Sequence, residues 1–113
     1  MSEAIIDQAA FASLTDLVGD DFIGELVETF FEEAPGLLAE MGRALDESDA
    51  AALRRAAHSL KSNSESFGAT RMATLTRELE TMGRDGRLDE ARPKLAQLEA
   101  AYEEAREALK ALL

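Results

Sequence analysis

Cysteine is absent from this chain, histidine occurs once and proline twice in 113 residues. Without thiols there is no disulfide framework, no Cys-rich zinc site and no cysteine nucleophile. One histidine cannot supply the paired Glu-x-x-His motifs of a di-iron bundle, so a metal-binding bundle is a distant reading and no resident cofactor is expected. The composition suits a reducing compartment, which makes the cytoplasm the expected location. No apolar run approaches the roughly 20 residues of a membrane span. The start, MSEAIIDQAAF, carries acidic residues where a secretory leader has a basic region. Glycines at 19, 24, 36, 42, 68, 83 and 86 form neither a G-x-G-x-x-G nor a Walker loop, which speaks against a self-sufficient ATP-dependent kinase.

Positive charge is scarce as well. Asp and Glu outnumber Lys and Arg 23 to 12, and a net charge of −11 repels nucleic acid and anionic lipid alike. Residues 1–53 hold thirteen carboxylates and one basic residue, Arg43, whereas residues 54–113 hold ten carboxylates and eleven basic residues. The asymmetry is sharpest over Ala50 to Ser64, which has no carboxylate, carries Arg54, Arg55 and Lys61, and contains the lone histidine, His58.

What the chain has in abundance is helical periodicity. It is 46% hydrophobic, and its apolar residues recur at alternating gaps of three and four with no competing strand alternation. Leu88, Ala91, Leu95, Leu98, Tyr102, Ala105, Leu109 and Leu112 form a bundle seam in a helix expected to start near Asp89, hold Pro93 in or close to its first turn, and run nearly to Leu113. Ile23, Val27, Phe30, Ala34, Leu37, Met41 and Ala44 mark a second long helix, capped by Asp20 or Asp21, with a kink rather than a break at Pro35. Leu53, Ala57, Leu60, Ser64 and Phe67 mark a third, capped by Ser48 or Asp49 and ended by Gly68. Met72, Leu75, Leu79 and Met82 mark a fourth, closed by Gly83 and Gly86. A short amphipathic helix over about Asp7 to Val18 precedes them and turns at Gly19-Asp20. Short connections force sequential helices antiparallel. The expected fold is therefore all-α: one domain over residues 1–113, an up-down-up-down four-helix bundle with an additional short N-terminal helix packed across one end. A chain of this length buries roughly 65% of its unfolded surface, enough for one core without a stapling metal or disulfide.

At about 100° per residue, His58 points roughly 140° away from the apolar face of the third helix. Arg54, Arg55, Ser62 and Glu65 share its outward side, and Lys61 sits at the shoulder. An exposed histidine is commonly only solvated. Here it stands in a carboxylate-free stretch of a very acidic chain, flanked by small residues, Ala57, Ser59 and Ser62, that let another protein approach the ring. Nearby cations favour a neutral imidazole and stabilise an anion delivered to it, and phosphoryl is the obvious anion.

The segment resembles the histidine-containing phosphotransfer (HPt) family, whose signature runs H-x-L-K-G, then small residues, an apolar residue and G-A. This chain reads His58-Ser59-Leu60-Lys61-Ser62-Asn63-Ser64-Glu65-Ser66-Phe67-Gly68-Ala69. Such modules are helical bundles of about this length with the same helix order. The sequence departs at Ser62, where members often have Gly. The resemblance implies that His58 takes a phosphoryl group from an aspartyl phosphate on a response-regulator receiver domain, such as that of a hybrid histidine kinase, and passes it to another such aspartate. Lys61, one turn away, would stabilise the transferred charge, and the magnesium would belong to the partner receiver. Nδ1 should keep its proton and be held by an acceptor. Glu80 lies twelve residues after Gly68 and His58 ten before it, so an antiparallel hairpin brings them to similar heights; members often have Gln there. Arg84 matches a phosphate-side basic residue of some members. Phe22, Leu26 and Phe31 are apolar residues beyond those one seam uses, and are candidates for a docking patch or for cover of the N-terminal helix. The outer faces of the last two helices are polar, which favours a monomer. The competing reading is an adaptor or dimerisation bundle that carries no phosphate.

Overall fold

The computed structural model describes residues 5–113, so Met1 to Ala4 of the acidic start lie outside the described residues. Five helices follow one another: α1 Gln8–Val18, α2 Asp20–Asp46, α3 Ala50–Phe67, α4 Thr70–Asp85 and α5 Ala91–Leu112. The boundaries follow local chemistry. Asp7 caps α1 by accepting from the Ala9 and Ala10 amides at 3.0 and 3.2 Å. Asp49, not Ser48, caps α3 by accepting from the Ala52 amide at 3.0 Å. Gly68 and Gly86 end α3 and α4 in the left-handed conformation, with φ of 74° and 71°.

Three expected boundaries move. Gly19 occupies the cap position of α2 without a side-chain hydrogen bond, and Asp20 and Asp21 fall inside the first turn, where they face the positive end of the helix dipole. Gly83 lies within α4, which Gly86 alone closes. Helix α5 begins at Ala91, two residues after Asp89, and holds Pro93 in its first turn, where no intrahelical donor is required. Pro35 sits inside α2, which continues through it unbroken.

Each of α2 to α5 packs against its neighbours in sequence and α5 returns to α2, while the backbones of the diagonal pairs stay more than 8 Å apart, so the four form a closed antiparallel ring. Arg92, at the start of α5, pairs with Asp46 at the end of α2 at 2.7 Å, which fixes the antiparallel sense of that pair. Phe30 of α2 is the hub of the core, its ring centroid 5.1 Å from Phe67 and 5.9 Å from Tyr102. The expected seam holds with three exceptions. Leu38, not Leu37, takes the buried position in α2, Leu88 precedes α5 and is only half-buried, and Leu112 is exposed at the end of α5. Helix α1 packs on α2 and α3, and the Asp7 amide donates to the Gly68 carbonyl at 2.7 Å. It covers the end of the bundle where α3 turns into α4.

The closest helix pair is α3 with α4. A Cβ on Gly83 would lie 2.8 Å from the Arg54 amide nitrogen and 2.9 Å from the Ala50 carbonyl oxygen. Only a glycine allows the two backbones to meet here. Ser64 and Thr76 are fully buried and satisfy their hydroxyls on their own helices, at Leu60 O and Met72 O, each at 2.7 Å.

Candidate functional site

His58 projects from the middle of α3, one turn beyond Arg54, and its side chain is 61% exposed. The ring reaches across the α3–α4 contact, where Nδ1 lies 2.5 Å from Glu80 Oε2. A carboxylate can only accept, so the imidazole donates its Nδ1 hydrogen and Nε2 has no protein partner among the described residues. Lys61, one turn further along α3, donates from Nζ to the other oxygen, Oε1, at 2.6 Å. Glu80 therefore bridges the imidazole and the ammonium. The Lys61 hydrogen bond is the main influence that lowers the Glu80 carboxyl below its ordinary value, partial burial opposes it, and the His58 hydrogen bond adds to it.

The other expected residues divide. Arg54 and Arg55 line a cavity with His58, Ser59 and Glu80. Ser62 lines a second cavity beside His58, but its hydroxyl bonds its own helix at His58 O, 3.3 Å away. Glu65 turns to Arg77 of α4 at 3.7 Å, and Arg84 to its neighbour Asp85 at 3.5 Å, so neither is brought to the ring. The expected apolar patch is not at His58 either. Phe22 is exposed in the first turn of α2, fourteen residues and so about 21 Å along the helix from Gly36, which does line the cavity beside His58. Leu26 packs against the core, and Phe31 lies beside Phe30 with the Arg106 guanidinium 5.6 Å from its ring.

Helix α2 supplies what the sequence reading missed. Glu32, Glu33, Gly36, Leu37 and Glu40 face His58 across the α2–α3 groove. Leu37, out of register with the core, is the half-buried apolar side chain beside the histidine. The signal was available, because the height argument that pairs His58 with Glu80 also pairs it, across the turn at Ser48, with the stretch around Leu38. No cluster of three or more His, Cys, Asp or Glu among the described residues is arranged to hold a metal ion, and no described helix is long and apolar enough to cross a membrane.

An exposed histidine held by a carboxylate on an antiparallel helix pair is the arrangement expected of a phosphotransfer bundle. Residues 25–108 match the family profile of the Hpt domain. The chain belongs to the Hpt domain family. Its function is histidine phosphotransfer in two-component phosphorelays. Histidine-containing phosphotransfer protein B (HptB) of Pseudomonas aeruginosa PAO1 superposes with a TM-score of 0.90 at 33% identity, over 96% of this chain and 94% of that one. The phosphorelay protein LuxU of Vibrio vulnificus is 29% identical over 100 residues, 88% of this chain and 87% of the relative. Ypd1 of Saccharomyces cerevisiae, solved together with the receiver domain of its downstream response regulator Ssk1, is 22% identical and shares the Hpt fold, with a TM-score of 0.69 over 96% of this chain and 90% of that one.

Proposed function

We propose that His58 is the phosphoacceptor and that the protein relays a phosphoryl group between aspartates of response-regulator receiver domains, including the receiver of a hybrid histidine kinase. The observation that carries this reading is the exposed ring with Nδ1 tied to Glu80 at 2.5 Å. That bond selects the tautomer whose Nε2 lone pair is free. Nε2 attacks the phosphorus of an aspartyl phosphate, the N–P bond forms as the P–O bond breaks, and the aspartate leaves as a carboxylate. The proton stays on Nδ1, so the product ring is a phosphoimidazolium whose positive charge faces Glu80. Transfer onward is the same step reversed onto another aspartate. Lys61 holds Glu80 in place and sets an ammonium beside the transferred anion.

The magnesium of the reaction comes with the receiver, and the protein acts as a phosphohistidine carrier with no kinase activity or cofactor of its own. The reading also takes it to be a cytoplasmic monomer that forms one domain. Ypd1, in complex with a receiver domain, supports receivers as the partner class. The test is intact-mass spectrometry at mildly alkaline pH after mixing the protein with a phosphorylated receiver domain and magnesium. One phosphoryl adduct is expected, lost on brief acid treatment and absent from His58→Gln. A folded protein that takes no adduct from any of several receivers would point instead to a binding module without phosphate.

A further inference from the structure

Two cavities open at His58, and their charges differ in sign. Towards α2 the ring borders a cavity lined by Glu32, Glu33 and Glu40, with no cationic side chain in its wall. Towards α4 it borders a cavity of about 440 Å³ lined by Arg54, Arg55, Ser59 and Glu80. A phosphoryl group on Nε2 brings up to two negative charges, so the first cavity repels it and the second attracts it. Glu80 does not cancel that attraction, because its two oxygens already accept from His58 and Lys61. The same pairing leaves little net charge on Lys61 and Glu80 together, and the remaining cations of the cavity are the two arginines. Neither has an ion-pair partner among the described residues, whereas Arg71, Arg77 and Arg84 on α4 each do. They are not equivalent, since Arg55 also borders the next cavity of the α2–α3 groove, where Glu40 and Glu47 stand beside it. Arg54 lies four residues before His58, one turn and about 6 Å along α3 on nearly the same face. Side chains on a helix lean toward its N-terminus, so the imidazole leans over the turn that carries Arg54. The Arg54 backbone is held against α4 at Gly83.

We infer that Arg54 is a further phosphoryl-binding residue: its guanidinium fork closes on the oxygens of the phosphoryl group carried by His58, on the α4 side of the ring and away from the α2 carboxylates. The inference rests on the reading of His58 as the phosphoacceptor. Charge met at the phosphoryl oxygens stabilises both the phosphorylated ring and the transition state that leads to it.

The test uses the full chain and phosphoramidate, a small donor that needs no receiver: Nε2 attacks its phosphorus, the new N–P bond forms as the donor's P–N bond breaks, and ammonia leaves. Labelling of His58, followed by intact mass at mildly alkaline pH, should be about threefold to fivefold slower in Arg54→Gln than in the wild type, the scale of one exposed ion pair. Arg71→Gln, the same change of charge on α4, should match the wild type. On the phosphorylated protein, the phosphoryl titration followed by phosphorus NMR should have a higher midpoint in Arg54→Gln, because a guanidinium favours the dianion, and an unchanged one in Arg71→Gln. Circular dichroism checks the fold, and Arg54→Lys, which keeps the charge without the fork, should show the same changes reduced if Arg54→Gln unfolds. The titration decides. A midpoint in Arg54→Gln equal to that in Arg71→Gln overturns the inference, as does one that moves in Glu32→Gln with Glu33→Gln but not in Arg54→Gln, which would place the phosphoryl group on the α2 side. If phosphoramidate labels His58 and no receiver does, the relay reading fails while the titration still judges Arg54; a folded protein that neither donor labels at His58 ends both.

Discussion

Glu80 accepts from two donors on α3, the imidazole and the ammonium, and this sets its pH behaviour. Its carboxyl is held below the ordinary value of 4.5, chiefly by the Lys61 hydrogen bond. A depressed carboxyl binds its proton less readily in the folded state than in the unfolded one. Whatever the bridge adds to stability is therefore fully present above the unfolded value and is lost as pH falls through the lower, folded one. Carboxyl carbon shifts followed by NMR should give a Glu80 midpoint below 4.5. In Lys61→Met that midpoint should rise, because the main cause of the shift is gone. A midpoint that does not move would mean that the imidazole, not the ammonium, holds the carboxylate. Lys61 would then be free to serve the phosphoryl group alone.

At the scale of the helices, the site depends on how closely α3 and α4 approach. Gly83 lies one turn after Glu80, and the Arg54 backbone it meets lies one turn before His58. A methyl group there would collide with backbone at 2.8 Å, which no rotamer change relieves, so the two helices must separate. Gly83→Ala should destabilise the protein by about 1–3 kcal/mol, the usual cost of overpacking, despite alanine's better helix propensity. It should also slow phosphoryl transfer by lengthening the His58–Glu80 bond, as thermal melts and transfer rates will show. The sequence led to the opposite reading of this glycine, as a helix terminator, because a helical glycine and a capping glycine look alike until the partner helix is placed. The hairpin argument succeeded for Glu80 because Gly68 is a sharp, local turn signal that fixes the register of α3 against α4. Across the turn at Ser48 no single glycine marks the register of α2 against α3, and spacing alone places Leu37 in the core, whereas it lines the groove beside His58. The buried positions Phe30, Ala34 and Leu38 advance by four residues twice around Pro35, which turns Leu37 out to the groove.

For the molecule as a whole, element order, helix class and the exposed position of His58 were legible because they rest on periodicity and a local motif. The distribution of unpaired charge was not, since it depends on which carboxylates the packed helices bring within reach of which arginines. Exposed apolar side chains follow the same logic. Leu17 and Phe22 flank the α1–α2 turn, and Leu112 and Leu113 end α5, which runs antiparallel to α2 and so finishes at the same end of the bundle. They sit on chain turns and ends, not along a helix pair, whereas the flanks of α4 and α5 expose Arg71, Arg77, Gln97, Glu103 and Glu107. A dimer through the long faces would bury these polar and charged groups, and one through the apolar end must also overcome a net charge of −11 on each copy. Light scattering behind size exclusion should therefore give 12.2 kDa at every concentration tested. A dimer that persists in high salt and dissociates in Leu17→Glu with Phe22→Glu would identify that end as a self-association surface, on the opposite side of the α2 midpoint from Arg43 and well away from His58.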